Sequence, residues 1–262
     1  MEYETIRFEV GETGVAVLTV NRPESFNGMN VQMGDELRRA LVEVHEREEV
    51  RVLVLTGAGR SFCPGADIKG FNADDGPASG LVTPALGGSD MPRLLYEAPV
   101  PTIAAVNGAC AGAGLGLACA CDLRLAARSA VFRSAFLSVG VAGDMGVPWS
   151  LPRLIGAARA KEVSFLDAKL DSTRALEIGL VSEVVDDDRL PARAAELAAA
   201  LAAGPPMAVR ALKAHYLAAQ RMGFDDFVDL EFQRHFHLLA TEDAREGFVA
   251  FGERRTPRFT GR

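Results

Sequence analysis

Two segments of this 262-residue chain combine residue types that can hold developing negative charge. The first is Ser61-Phe62-Cys63-Pro64-Gly65-Ala66-Asp67-Ile68-Lys69, which follows an apolar run at 52–55. The second is Asn107-Gly108 and then Gly112-Ala113-Gly114-Leu115-Gly116, which follows the apolar run 102–106. In each, a strand-like stretch enters a turn of small residues and then a helix start. Small side chains let a ligand approach backbone N–H groups closely, and the dipole at a helix N-terminus favours negative charge there. Two such turns side by side would offer two N–H donors to one oxyanion. Either turn alone serves equally to pack a strand tightly on a helix; the pair is what points to a pocket.

Other reactive residue types form no competing constellation. Cys63, Cys110, Cys119 and Cys121 match neither a CxxC pair nor a zinc-ligand spacing. His235 and His237 are two apart, which on a helix turns them to different faces. No histidine lies between His45 and His215, so none is close in sequence to either small-residue turn. No G-x-G-x-x-G follows a strand and no Walker-type loop is present, which leaves dinucleotide and nucleotide-hydrolysis readings without support. Neither a metal nor a separate cofactor is expected.

The elements that must position these turns alternate between strand and helix. Residues 5–8 and 15–20 read as strands joined by a turn at 11–14. Asn30 is placed to cap a helix whose Leu37, Leu41 and Val44 follow helical spacing. The run 52–55 reads as a strand covered on both faces. Residues 98–121 carry no charge, long enough to raise the question of a membrane span. Pro99, Pro101 and Asn107-Gly108 divide that stretch into a core strand, a turn and a buried helix instead. Residues 71–90, rich in Gly, Pro, Ala, Ser and Asp, read as a long loop of the kind that covers or lines a site. From Pro191 to about Phe251 the pattern is helical. The class is α/β, with residues 1–198 as the core that carries the site and 199–262 as a C-terminal helical region.

Composition agrees with that class. Apolar residues at 48% and charged residues at 24% describe a globular chain, neither disordered nor fibrous. With 28 Lys+Arg against 35 Asp+Glu the net charge is −7, which counts against nucleic acid as a partner. The opening Met-Glu-Tyr-Glu lacks the basic and apolar regions of a secretory signal, and the cysteines read as free thiols, so a cytoplasmic location is expected.

Taken together and in order, the motifs resemble the crotonase superfamily, the enoyl-CoA hydratase/isomerase family. They are Asn21-Arg22-Pro23, the segment 61–69, and Ala104-Ala105-Val106-Asn107-Gly108 running on to Gly112-Ala113-Gly114. Cys121-Asp122, Leu151-Pro152-Arg153-Leu154-Ile155-Gly156, Ala175-Leu176-Glu177-Ile178-Gly179-Leu180-Val181 and Glu246-Gly247-Phe248 complete the set. The resemblance implies a spiral of ββα turns, a C-terminal helical region used in trimer formation, often a hexamer of two trimers, and an acyl-CoA thioester as ligand, with coenzyme A part of the substrate. It makes the N–H groups of Ala66 and Ala113 the oxyanion donors, with Asp67, Ile68, Lys69 and Gly114 beside the thioester. Asp67 has a structural reading as well, satisfying backbone donors of its own turn. Between Arg245 and Arg262 five Arg stand against two Glu, a basic exception in an acidic chain. Relatives carry a basic residue towards the CoA phosphates at the position of Arg254; Lys69 and Arg22 are further candidates.

The general base is where the chain departs from the family's hydratases. Their two glutamates fall on Gly116 and Phe136, neither of which can move a proton. Isomerase-like relatives place an aspartate at the position of Asp144, in Val139-Gly140-Val141-Ala142-Gly143-Asp144-Met145-Gly146. Next to Gly146 it also reads as a turn residue. The expected function is therefore an enoyl-CoA isomerase. The alternatives are a hydratase with another carboxylate and an acyl-CoA binder without catalysis.

Overall fold

The computed structural model describes residues 3–67 and 90–262. Chain order already shows how the spiral is wound. A hairpin, β1 (Ile6–Val10) and β2 (Val15–Val20), is followed by α1 (Val31–Glu46). Then come β3 (Val52–Gly57), β4 (Ser61–Cys63) and α2 (Met91–Tyr96), and next β5 (Thr102–Val106), β6 (Ala109–Ala111) and α3 (Ala113–Ala120). The last such turn is β7 (Leu123–Ala127) and β8 (Val131–Arg133), leading to α4 (Val147–Ile155) and α5 (Ala157–Phe165). After β9 (Leu170–Asp171), α6 (Ser172–Glu177) and β10 (Glu183–Val185) the chain is helical: α7 (Leu190–Ala202), α8 (Pro206–Ala219), α9 (Phe224–Leu239) and α10 (Glu242–Glu253). From β3 onward each strand pair is split between two sheets. The first members join a six-stranded sheet ordered β1-β2-β3-β5-β7-β10, the second a four-stranded one ordered β4-β6-β8-β9.

Strands covered on both faces need continuous apolar runs, and 52–55 of β3 and 103–106 of β5 supply them. Leu53, Leu55, Ala104 and Val106 face the core shared with Leu37 and Leu41 of α1. Val52, Val54, Ile103, Ala105, Leu125 and Ala127 turn the other way, under Leu190, Ala194, Ala198 and Ala202 of α7. The fourfold spacing of those α7 residues makes a flat stripe of small side chains on one helix face.

Most sequence-based boundaries hold. The first strand is longer than 5–8, because Glu9 and Val10 continue the pairing to Val17 and Ala16. Asn30 caps α1, its Oδ1 accepting the Met33 N–H at 2.9 Å. Residues 98–121 resolve into β5, β6 and α3, and among the described residues no helix is long and apolar enough to cross a membrane. The division drawn after residue 198 falls inside α7, whose Ala198 and Ala202 are still buried in the cluster with the sheet. The loop expected at 71–90 lies, apart from Asp90, outside the described residues.

Two buried charged side chains, Glu36 and Lys213, tie distant segments together. Glu36 on α1 accepts the Thr5 N–H at 2.8 Å and the Thr5 hydroxyl at 2.6 Å. Burial alone would push its carboxyl up, but these bonds, with those from the Glu4 N–H and Gln32, outweigh it and hold the carboxyl below the usual range. Asp122, between α3 and β7, accepts the Thr102 N–H and hydroxyl and the Lys213 ammonium at 2.7 Å. Lys213 also donates to the Val100 carbonyl at 2.9 Å, so one side chain docks α8 on the entry to β5. Lys213→Ala removes two charge-assisted bonds while Thr102 still satisfies Asp122. It should cost about 2 kcal/mol, a fall in Tm of roughly 4–8 °C by scanning calorimetry; an unchanged Tm would mean that α8 is held by its apolar contacts alone.

Candidate active site

The two small-residue turns meet backbone to backbone. Gly65 has φ +105°, and a Cβ there would stand 3.3 Å from the Ala111 carbonyl oxygen and 3.7 Å from the Ala113 nitrogen. A Cβ on Gly114 would fall inside the Cys63 carbonyl, so the first turn of α3 lies directly on the end of β4. The Met29 N–H donates to the Gly65 carbonyl at 2.8 Å, and the Asp67 N–H donates to the Met29 carbonyl at 2.9 Å. That parallel bridge turns the intervening N–H of Ala66 to the opposite side. Ala113 is the first residue of α3, one of the positions whose N–H has no intrahelical acceptor. Neither N–H finds a partner among the described residues. Two donors beside one another at a helix N-terminus form a corner built entirely from main chain, an arrangement whose chemistry suits an anion.

Side chains hold that corner from behind. Asn107 donates to the Gly59 carbonyl at 2.9 Å and accepts the Gly57 N–H at 3.2 Å. Asn27, fully buried, donates to the carbonyls of Ser61 at 2.6 Å and Ala58 at 2.9 Å. Between them they fix the β3–β4 connection. Arg22 reaches the Asp67 carboxylate at 2.9 Å and the Gly28 carbonyl at 2.5 Å. The structure thus brings Arg22 and Asp67 together as a strut under the Ala66 turn. Farther along, Asp167 accepts the Ala135 N–H at 2.8 Å and the Arg133 guanidinium at 2.5 Å. Burial opposes ionisation of its carboxyl, yet these bonds and that from Ser134 hold it below the usual range. The clasp sets the chain direction just before Phe136.

Around the corner the described carboxylates are few. A Cβ on Gly116 would fall inside the Cβ of Met145 and stand 3.0 Å from the Met145 carbonyl oxygen, so no side chain fits there. Phe136 is buried, its ring edge 4.0 Å from where a Gly112 Cβ would be. The same ring lines a cavity of about 270 Å³ with Leu137, Val147, Pro148, Leu151 and Phe165. Asp144 is exposed, precedes buried Met145, and accepts the Met145 N–H at 2.7 Å. No ion pair engages it among the described residues. Gly114 is in the corner; Ile68 and Lys69 lie outside the described residues. Arg254 is remote from the corner along the chain, an exposed residue closing α10 with φ +56°.

Sequence reasoning missed Met145, Asn27 and Asp167. Nothing but the αL-compatible neighbourhood of glycines marked the first, and the other two read as ordinary loop residues. The cysteines offer no nucleophile: all four are buried, and burial pushes the thiols of Cys63 and Cys119 up to about 11 and that of Cys121 to about 12. His235 and His237 are both exposed on α9, and no group of His, Cys, Asp or Glu among the described residues could hold a metal ion.

Residues 11–262 match the family model for enoyl-CoA hydratase/isomerase. The chain belongs to this family, the crotonase superfamily. A probable enoyl-CoA hydratase of Rhodobacter capsulatus is 41% identical over 265 residues, all of both chains. The 1,2-epoxyphenylacetyl-CoA isomerase of Escherichia coli is 41% identical over 260 residues, 96% of this chain and 97% of that one. The crystal structure of an enoyl-CoA hydratase from Bacillus anthracis superposes with a TM-score of 0.89 at 32% identity, covering 99% of this chain and 100% of that one. The crotonase fold and the enoyl-CoA hydratase/isomerase family are therefore those expected from the motifs, while relatives bear the names of both activities.

The contact between the two turns makes a prediction about glycine. In an open helix position Gly→Ala stabilises by about 0.5–1 kcal/mol, and Gly34 on α1 is such a position, with nothing within 4 Å of its would-be Cβ. Gly34→Ala should raise Tm slightly. Gly114→Ala, in a helix too, must push α3 off the Cys63 carbonyl and should cost about 3 kcal/mol. Thermal denaturation of the pair checks this; equal shifts would mean that the turns are not in contact.

Proposed function

We propose that this protein is an acyl-CoA isomerase that works with one carboxylate, Asp144, and two backbone donors, the N–H groups of Ala66 and Ala113. Asp144 removes a proton from C2 of a 3-enoyl-CoA. The electron pair moves onto the thioester oxygen as an enolate, which the two N–H groups stabilise, each at a typical worth of about 3–4 kcal/mol. The protonated carboxyl then returns its proton to C4 as the double bond re-forms between C2 and C3. One group serves both steps because the proton never leaves the site. Asp67, Ile68, Lys69 and Gly114 flank the thioester. Coenzyme A is part of the substrate, no separate cofactor is needed, and the enzyme works in the cytoplasm.

The observation that carries this reading is the filling of the two hydratase positions. Met145 occupies the space any side chain at 116 would need, and an apolar ring stands at 136. With Asp67 committed to Arg22, Asp144 is the free carboxylate nearest in the chain to the residue that packs on α3. Asp144→Asn should lower the isomerase rate by roughly 10²–10⁴-fold while affinity for a non-reactive acyl-CoA stays the same. Assays with 3-enoyl- and 2-enoyl-CoA decide the matter. Full activity in the variant places the base elsewhere, rapid hydration by the native protein independent of Asp144 makes it a hydratase, and tight binding without turnover makes it a binder.

The C-terminal helices carry the assembly part of the proposal. No residue of α9 is buried. Phe224, Phe232 and Phe236 on it and Phe248 and Phe251 on α10 are all more than half exposed. Aromatic surface of that extent marks a contact. We assign it to a closed trimer, alone or as a pair of trimers, in which Arg254 reaches the CoA phosphates of a neighbouring copy. Arg22 is spent on its strut, leaving Arg254 and Lys69 for the phosphates. Replacing Phe248 and Phe251 together by Asp should yield smaller species in sedimentation. Arg254→Ala should weaken acyl-CoA binding more than binding of the same acyl group on phosphate-free pantetheine; equal weakening removes Arg254 from the phosphate site.

A further inference from the structure

The loop that carries Asp144 is held by two close approaches, one on each side. Gly143 has φ +150°, and a Cβ there would stand 2.5 Å from Cγ of Pro148 in the first turn of α4. On the other side Met145 is buried with φ +52°, and its backbone and Cβ lie against Gly116 of α3. A left-handed conformation is unfavourable for a residue with a side chain. It persists where the surroundings over-determine it, and such strain clusters where geometry matters. Here the seat against Gly116 supplies the determination. The Met145 N–H, fixed by that seat, donates to the Asp144 carboxylate at 2.7 Å. Behind the loop, Trp149 meets Tyr96 edge-on with ring centroids 5.1 Å apart, and the Arg153 guanidinium lies 3.9 Å over the Trp149 ring, so α4 cannot follow a shift of the loop freely.

We infer that Met145, seated on the bare backbone of Gly116, is the positioning residue that sets the distance from Asp144 to the oxyanion corner. The inference rests on the proposed role of Asp144 and adds the device that places it. Gly116 belongs to the same short helix whose first residue is Ala113, so one rigid element carries both the donor and the seat of the base. The missing side chain at 116 is then a requirement of this geometry, beyond the loss of a carboxylate.

The test couples three positions. Gly116→Ala pushes Met145 and its neighbour outward; a displacement near 1 Å lowers kcat by on the order of 10²-fold, with KM and acyl-CoA affinity unchanged. In an Asp144→Asn background the same substitution should lower the rate no further, because its effect passes through Asp144. Met145→Gly removes the side chain that holds the seat and should show the same dependence on Asp144, which keeps the idea testable if Gly116→Ala does not fold. Combining Gly116→Ala with Met145→Gly should lower the rate less than the product of the two single losses, since the closest colliding atom, the Met145 Cβ, is gone and only its backbone oxygen at 3.0 Å and Cα at 3.3 Å remain near the new methyl. Losses that multiply with that of Asp144→Asn, or a fall in affinity equal to the fall in kcat, would overturn the positioning role. If Asp144→Asn alone keeps full activity, the failure belongs to the proposed base and not to its seat.

Discussion

Everything in the candidate site depends on two stretches of main chain lying closer than side chains would allow. The first turn of α3 rests on the end of β4 because Gly114 presents only hydrogen to the Cys63 carbonyl. Beside it, Gly65 turns through φ +105° next to Ala113. Separate them by one methyl group and the N–H groups of Ala66 and Ala113 no longer share a corner. The fold is arranged to enforce that approach. From β3 onward each ββα turn sends its first strand into one sheet and its second into the other, so successive second strands β4 and β6 pair in parallel and their ends arrive together.

Such an approach is expensive unless the chain on both sides is fixed. Asn27 and Asn107 both donate to the Ser61 carbonyl and hold the segment before β4. Arg22 and Asp67 hold the segment after the corner. On the far side the core residues Leu115, Leu117 and Ala118 anchor α3, a helix buried along its whole length. A fully buried helix of Ala, Gly, Leu and Cys has no polar side chains to satisfy, and its unmet needs are all main-chain: the carbonyls at its end and the N–H groups at its start. Those are the groups the corner exposes. Structural economy and chemistry coincide there.

How legible this was in the sequence varied with the physics that sets each feature. Strands β2, β3 and β5 and the cap at Asn30 follow from local apolar pattern and side-chain hydrogen bonding, and were readable. The family followed from small residues in fixed order, because each marks a close approach that few other residue types permit. β6 and β9, of three and two residues, carry too little pattern to be seen. The division after 198 falls within α7, whose Ala stripe looks the same in sequence whether it packs on a sheet or on other helices. Asp67 was expected to satisfy backbone donors of its own turn, but its carboxylate reaches Arg22, a partner that no spacing rule links across 45 positions. Met145 was invisible for a deeper reason: its backbone lies against Gly116, and only the folded backbone relates the two.

The electrostatics of the corner follow from its being made of backbone. A chain of net charge −7 would repel an anionic ligand if side chains alone set the local field. Main-chain dipoles act at contact distance, where the long-range repulsion of exposed carboxylates is largely screened at physiological ionic strength. They also cannot titrate. An oxyanion held by the Ala66 and Ala113 N–H groups sees the same donors at every pH at which the fold persists, unlike one held by a lysine or histidine. Under the proposed reading the acid–base step then depends on Asp144 alone. This separates stabilisation of charge from movement of the proton, and explains how a site with so few ionisable groups can remain chemically competent.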